Sequence, residues 1–146
     1  VAVSFECRTA SARPAAEMFD RARDIDLHRA SQAGARERAI GGVTTGLIGL
    51  GEHVTFRARH FGLPFTLTST VTAVDAPRSF VDEQTSGPFR TFRHEHRFEQ
   101  AANGSVMIDR VRFSVGFGPA GRVVERLLLA THLRRLIVER GRFLAR

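Results

Sequence analysis

From Glu52 onward, apolar and polar residues alternate with a period of two for almost the whole middle of the chain, which is the signature of half-buried strands. Val54, Phe56 and Ala58 oppose Thr55, Arg57 and Arg59 in a predicted strand over 53–61. After a turn at Gly62 to Pro64, Phe65, Leu67, Ser69 and Val71 oppose a run of threonines. Turns at Asp75 to Pro77, Gly87-Pro88 and Ala101 to Gly104 separate three more strands, at 79–86, 91–100 and 105–115. The short connections make neighbouring strands antiparallel. Val3, Phe5 and Cys7 alternate with Ser4, Glu6 and Arg8 in a first strand at the start of the chain. A short strand at 36–40 completes a set of about seven.

The remaining segments read differently. Ser11 can cap a helix that begins near Arg13, with Pro14 early and Glu17 in its first turns. Met18, Phe19 and Ala22 give that helix an apolar side, and 24–33 reads as a second short helical piece. The glycine-punctuated segment 41–50 reads as a mobile loop outside the core. No proline interrupts 122–144, and a helix there would be about 33 Å long at 1.5 Å per residue. Val123, Leu127 and Ala130 or Thr131 fall on one line, and Val124, Leu128, Leu133, Ile137 and Leu144 fill an adjoining stripe. This order predicts an α+β domain over 1–146, in which a curved antiparallel sheet closes on one long C-terminal helix. Two short helices follow its first strand, and such a packing leaves room for a pocket.

Composition changes this picture little. The 146 residues suit a single domain. No apolar run approaches the ~18 residues of a membrane span. The alternating start does not read as a signal peptide, and a cytoplasmic location is the default expectation. Cys7 stands alone, which excludes an internal disulfide and a cysteine-based zinc site. The net charge of +7 comes from 22 arginines with no lysine. Arginine in place of lysine fits a G+C-rich coding bias, but the excess of charge calls for a positional argument. Arg57, Arg59, Arg93, Arg97, Arg110 and Arg112 fall on outward strand phases with no aromatic partner, and Glu95 interrupts the row. Nucleic acid is therefore not the expected partner. The glycines form neither a dinucleotide nor a phosphate-loop pattern.

Alternation also places polar side chains on inward phases. Phe92 and Phe98 mark the inward face of 91–100 and carry His94 and His96 with them. Met107, Asp109, Val111 and Phe113 do the same for 105–115, and Phe80 brings Asp82 and Gln84 inward. With Gln100 opposite Ser105, His96 faces Asp109, His94 faces Val111 and Phe98 faces Met107. A one-residue slip would put these groups on opposite faces. Buried polar groups are costly unless paired or wetted. Three readings remain open for them: mutual satisfaction that fixes the register, the polar end of a ligand cavity, and a metal site of His94 and His96 with Asp109 or Asp82. No cofactor or metal is expected, the metal being the least favoured of the three. A histidine paired with aspartate can also serve as an acid or base, and the candidate pair is His96 with Asp109.

Phe80-Val-Asp82-Glu-Gln84-Thr-Ser-Gly87-Pro88-Phe89 and Phe92-Arg-His94-Glu-His96-Arg-Phe98 are the most distinctive stretches. Met107-Ile-Asp109-Arg-Val111-Arg-Phe113, Phe117-Gly118 and Gly51-Glu52-His-Val54 accompany them. In these stretches and in element order the chain resembles the START-like, helix-grip superfamily (SRPBCC), and within it the small bacterial polyketide cyclase/dehydrase-like proteins. Gly116 stands where that pattern has proline. The resemblance implies a hydrophobic cavity between sheet and C-terminal helix for a lipid, a polyketide or another apolar molecule. It fixes no activity: related members are cyclases, transfer proteins or sensors. Cyclases of this superfamily place arginine and tyrosine inside the cavity, and neither stands on an inward strand phase here.

The expected function is binding of a small apolar ligand. Phe56, Phe65, Leu67, Phe92, Phe98, Phe113 and Leu133 would form the wall, and Asp82, Gln84, His94, His96 and Asp109 the polar end. A cyclase/dehydrase-type enzyme using His96 and Asp109 is the alternative, and a basic surface binding nucleic acid or acidic partners is a more distant one. His60 is placed near a pocket mouth, and His28 and His132 are assigned to the surface or to helix packing. The expected state is monomer or homodimer.

Overall fold

The computed structural model describes residues 2–116, 118–124 and 128–146. Strand β1 (Val3–Ser11) is followed by helices α1 (Ala15–Arg23) and α2 (Ile25–Ser31). Strands β2 (Arg38–Gly42), β3 (His53–His60), β4 (Leu63–Asp75), β5 (Ser79–Ser86), β6 (Thr91–Ala101) and β7 (Gly104–Ser114) come next. Helices α3 (Gly118–Val124) and α4 (Ala130–Ala145) close the chain. The strands form one antiparallel sheet in the order β1-β7-β6-β5-β4-β3-β2, so only β1 joins its neighbour across a long stretch of chain. The observed architecture is the helix-grip arrangement: a sheet with α4 along its inner side.

The predicted register holds. Gln100 pairs with Ser105, His96 with Asp109, His94 with Val111 and Phe98 with Met107. The hairpin is tighter than a four-residue loop, because Ala101 and Gly104 also pair. Alternation in β6 and β7 buries His94, His96, Phe98, Met107, Asp109, Val111 and Phe113, while Arg93, Arg97, Arg110 and Arg112 stay exposed. On the outer face Arg110 pairs with Glu6 at 2.8 Å and with Glu95 at 3.4 Å. Exposed pairs of this kind add little stability.

Two predictions about the core change. Segment 41–50 is not loose. Ile48 is buried against Ile25, Val54 and Val71. Its backbone is held from α1 and α2: Ile25 N–H donates to Gly46 O at 2.9 Å, Ile48 N–H donates to Arg23 O at 3.1 Å, and the Asp26 carboxylate accepts from Gly46 N–H and Thr45 Oγ1. Gly42 and Gly46 take positive φ values of 69° and 74°, which permit the turns that fold this segment inward. The predicted long helix is seen as α3 and α4, and 125–127, with Leu127, lie outside the described residues, as does Phe117. Val123, Val124 and Leu128, assigned by spacing to the apolar stripe, are exposed. Leu144, further along, is fully buried.

One end of the sheet's inner face is filled by α1. Met18, Phe19 and Ala22 pack there with Phe80, Phe98, Met107 and Leu144. The Phe19 ring stands edge-on to both Phe80 and Phe98, at 5.8 and 5.7 Å between centroids. The helix Cα surface at Gly141 comes so close to β1 that a Cβ there would lie 2.4 Å from Thr9 Oγ1. This close approach anchors α4 over the packed end and leaves the other end of the sheet open beneath it.

Candidate functional site

The open end forms a cavity of about 490 Å³ between β3–β6 and α4, within the range of small-molecule sites. Phe56 and Ala58 line it from β3, Phe65 and Leu67 from β4, Phe92 from β6, and Leu133, Leu136 and Ile137 from α4. Its walls are mostly apolar; Asp82, His94, His96 and Arg140 form a polar floor, and His28, Gln32, Glu37, His60 and His132 line it elsewhere.

The floor is built from four strands, β4 to β7, and helix α4. Phe80, His96 and His94 form a stack, with centroids 4.0 Å apart for Phe80–His96 and 3.7 Å for His94–His96. His96 Nε2 lies 2.5 Å from Asp82 Oδ2. Ser69 Oγ donates to the other Asp82 oxygen at 2.9 Å. Behind the rings, His94 Nε2 lies 2.7 Å from Asp109 Oδ1. Arg140, on α4, donates to the same oxygen at 3.3 Å and to Ala22 O at 3.3 Å, and its third contact is His96 Nδ1 at 3.4 Å. A guanidinium only donates, so His96 accepts at Nδ1, carries its proton on Nε2 and donates to Asp82.

Arg140 and Asp109 are both fully buried. Burial works to raise the carboxyls of Asp82 and Asp109, but hydrogen bonds from the histidines outweigh it and hold both well below the usual carboxylate range. Burial, reinforced by the neighbouring His96, pushes His94 down to about 4, so its imidazole is neutral at pH 7. The floor thus holds two carboxylates and one guanidinium beside the neutral His94 ring.

A second histidine pair sits at the cavity mouth. His60 Nδ1 and His132 Nε2 are 3.0 Å apart, Arg135 donates to His132 Nδ1 at 3.2 Å, and the exposed Phe61 ring lies 4.5 Å from the His132 ring. His28, stacked on Phe56 at 4.6 Å, also reaches the cavity. His60 is thus at the position expected for it, whereas His28 and His132 are cavity residues that the helical pattern assigned elsewhere.

Of the residues expected to bind, Phe56, Phe65, Leu67, Asp82, Phe92, His94, His96 and Leu133 are brought together on the cavity lining. Gln84, Phe98, Asp109 and Phe113 are not on it. Phe98 is sealed beneath Phe19 and α1. Phe113 lies fully buried with the Phe89 ring edge against it at 5.8 Å. Gln84 turns to the backbone of Phe89, donating to its carbonyl at 2.8 Å and accepting from its N–H at 3.1 Å. Asp109 is the support behind the histidines. The pairing of His96 with Asp109 is corrected accordingly: the two residues are register partners, but their nearest atoms are 3.5 Å apart and the short contact of His96 is to Asp82. The side chains lean diagonally across the pleat, which register alone does not specify.

Arg140 is the residue that sequence reasoning missed. The expected inward arginine was sought on strands, and it comes from the helix. Its spacing was informative: it stands three and four residues after Ile137 and Leu136 and four before Leu144, inside the apolar stripe.

No protein-family model matches the chain, nor does any curated protein. Solved structures match its fold over nearly its whole length. The Zhui aromatase/cyclase from a Streptomyces species superimposes with a TM-score of 0.70 at 14% identity, covering 98% of this chain and 94% of that one. Ginseng major latex-like protein 151, from Panax ginseng, gives 0.71 at 10% identity, with 99% and 96% covered. A point mutant of Thalictrum flavum norcoclaurine synthase, solved in complex with a transition-state analogue, gives 0.69 at 14% identity, with 99% and 94% covered. The chain has the START-like, helix-grip fold of these proteins. Among the described residues no helix is long and apolar enough to cross a membrane.

Proposed function

We propose that this protein binds a small, mainly apolar molecule in the cavity under α4, with the molecule's polar end directed at the floor. The observation that carries this reading is a cavity with mostly apolar walls and a polar floor formed by Asp82, His94, His96 and Arg140, apart from the polar residues at its mouth. An apolar pocket with a few convergent polar groups orients a ligand as well as holding it. Burying the apolar part supplies affinity at roughly 25 cal/mol per Å², while the floor rejects molecules that leave its polar groups unpaired. The solved structures of this fold include an aromatase/cyclase and a norcoclaurine synthase with a transition-state analogue, which is consistent with occupancy of the same kind of space.

The test is to fill the cavity. The chain has no tryptophan, so Leu67→Trp both occupies the space and gives a unique fluorophore. An amphiphilic fluorescent probe with an apolar ring system, anilinonaphthalene sulfonate, is expected to bind the parent protein in a one-to-one complex and to bind Leu67→Trp at least about 10-fold more weakly. Equal binding by both would place the probe elsewhere and remove the reading. If catalysis accompanies binding, the acid–base group is His96, held by Asp82 at 2.5 Å.

A further inference from the structure

We propose that the cavity floor is a binding site for one divalent transition-metal ion, of the zinc or ferrous type, ligated by Asp82, His94 and His96. One ligand atom from each of these residues lies within 4.8 Å of those of the other two. Two imidazoles and one carboxylate are a donor set suited to zinc and to non-haem iron.

Three further features fit an ion here. The first is the short contact between His96 Nε2 and Asp82 Oδ2, at 2.5 Å. A metal at ordinary bond lengths of about 2.0–2.2 Å holds adjacent ligand atoms roughly 3 Å apart. An ion therefore replaces the shared proton once this pair opens toward that spacing and the His94 ring, stacked on His96 at 3.7 Å between centroids, turns its free nitrogen toward the ion.

The second feature is support behind the ligands. Metal-bound histidines usually direct their second ring nitrogen to a carboxylate, which fixes the ring and raises its basicity. Here one carboxylate stands behind both rings: Asp109 Oδ1 is 2.7 Å from His94 Nε2 and 3.5 Å from His96 Nδ1. His94 therefore has Nδ1 left for an ion, and His96 offers Nε2 once its proton moves to Nδ1, where Asp109 accepts it in place of the Arg140 contact. Asp109 is buried and Arg140 pins it at 3.3 Å, so this support is rigid.

The third feature is charge. Asp82 and Asp109 outnumber Arg140, so the floor carries an excess negative charge before an ion arrives. With three protein ligands, an ion keeps at least one position for another donor, and Asp82, His94 and His96 all line the cavity. The ligand class this favours is an apolar molecule ending in an oxygen donor, such as a carbonyl, hydroxyl or carboxylate. The metal site rests on the floor side chains alone and does not depend on the apolar cavity being occupied.

Cobalt(II) and zinc(II) are the probes. Purified protein, stripped with a chelator, is titrated with cobalt(II) and followed by its visible ligand-field absorption. One equivalent is expected to give a saturating band that zinc(II) bleaches. Asp82→Asn and His94→Gln should each weaken binding by about 100-fold or more, and Asp109→Asn by about 10–100-fold. The double variant His60→Gln/His132→Gln, at the mouth, should bind as the parent does. Histidine ring-nitrogen NMR on the unaltered protein gives an independent reading that needs no variant to fold: zinc should shift His94 and His96 and leave His60 and His132 in place.

Absence of a stoichiometric band, a band that survives Asp82→Asn and His94→Gln, or zinc shifts confined to the mouth histidines would overturn the metal site. Probe binding in the cavity without metal binding would sink this proposal alone. Metal binding with no cavity probe would sink the ligand reading alone.

Discussion

Arg140 on α4 reaches Asp109 on β7 at 3.3 Å, with both side chains fully buried. The helix is therefore fastened to the sheet through an ion pair at the cavity floor as well as by apolar packing. Removing one partner of a buried pair leaves the other charge without compensation. Arg140→Leu is expected to destabilise the fold by about 3 kcal/mol. Adding Asp109→Asn should recover part of that loss, because the stranded carboxylate is gone. Urea unfolding midpoints of the two single variants and the double variant measure this, and strictly additive losses would show that the pair is not coupled.

The mouth histidines make stability depend on pH. Arg135 can only donate, so His132 accepts at Nδ1, donates from Nε2 to His60 Nδ1, and both rings must be neutral. Burial lowers both below the ordinary 6.5, and for His132 the nearby His60 and Arg135 add to the effect, while Glu37 and Glu139 oppose it for His60 and His132 respectively. Above about pH 6.5 folded and unfolded chains are equally deprotonated at these sites. Below it the unfolded chain takes up protons that the folded chain resists, so stability falls with falling pH. His132→Gln is expected to lose less stability than the parent between about pH 7 and 5.5. Parallel pH profiles in thermal melts would contradict this.

Gly141 sets how closely α4 approaches β1. A Cβ at this position meets Thr9 Oγ1 at 2.4 Å and Thr9 Cβ at 3.4 Å. Gly141→Ala is expected to destabilise by about 1–3 kcal/mol, since the helix preference for alanine is outweighed by overpacking. Combining it with Thr9→Ala should restore most of the loss, because the obstructing oxygen is removed. Calorimetric melting temperatures of the two single variants and the double variant test the pairing.

Gln84 clamps the Phe89 backbone with two hydrogen bonds, and Phe89 lines the cavity. Gln84→Ala is expected to cost about 1–2 kcal/mol and to weaken apolar-probe binding several-fold, although Gln84 is not on the cavity lining. Isothermal titration with the same fluorescent probe measures the second effect. Unchanged affinity would mean that Phe89 keeps its place without the clamp.

How much of this was legible in the sequence varies along the chain. Alternation in β6 and β7, together with the turn signal at Ala101 to Gly104, determined the register and put His94, His96 and Asp109 on the inner face. Strand periodicity is a local property, so no tertiary information was needed. The outward placement of the arginines followed from the same period.

The extent of the cavity was not local. Phe98 and Phe92 share one strand face, yet Phe98 lies under Phe19 and Phe92 faces open space. The docking of α1 decides between them, and nothing in β6 encodes where that helix lies. The partner of His96 was equally out of reach: register placed Asp109 opposite, but side-chain lean and the arrival of Arg140 gave His96 to Asp82. The sequence by itself determined which side chains of β6 and β7 face inward, the histidines and the aspartate among them. The packing of α1 and α4 decided which of them became core, which became cavity wall, and which carboxylate each histidine holds. Period two is written in neighbouring residues, whereas these contacts join residues far apart in the chain.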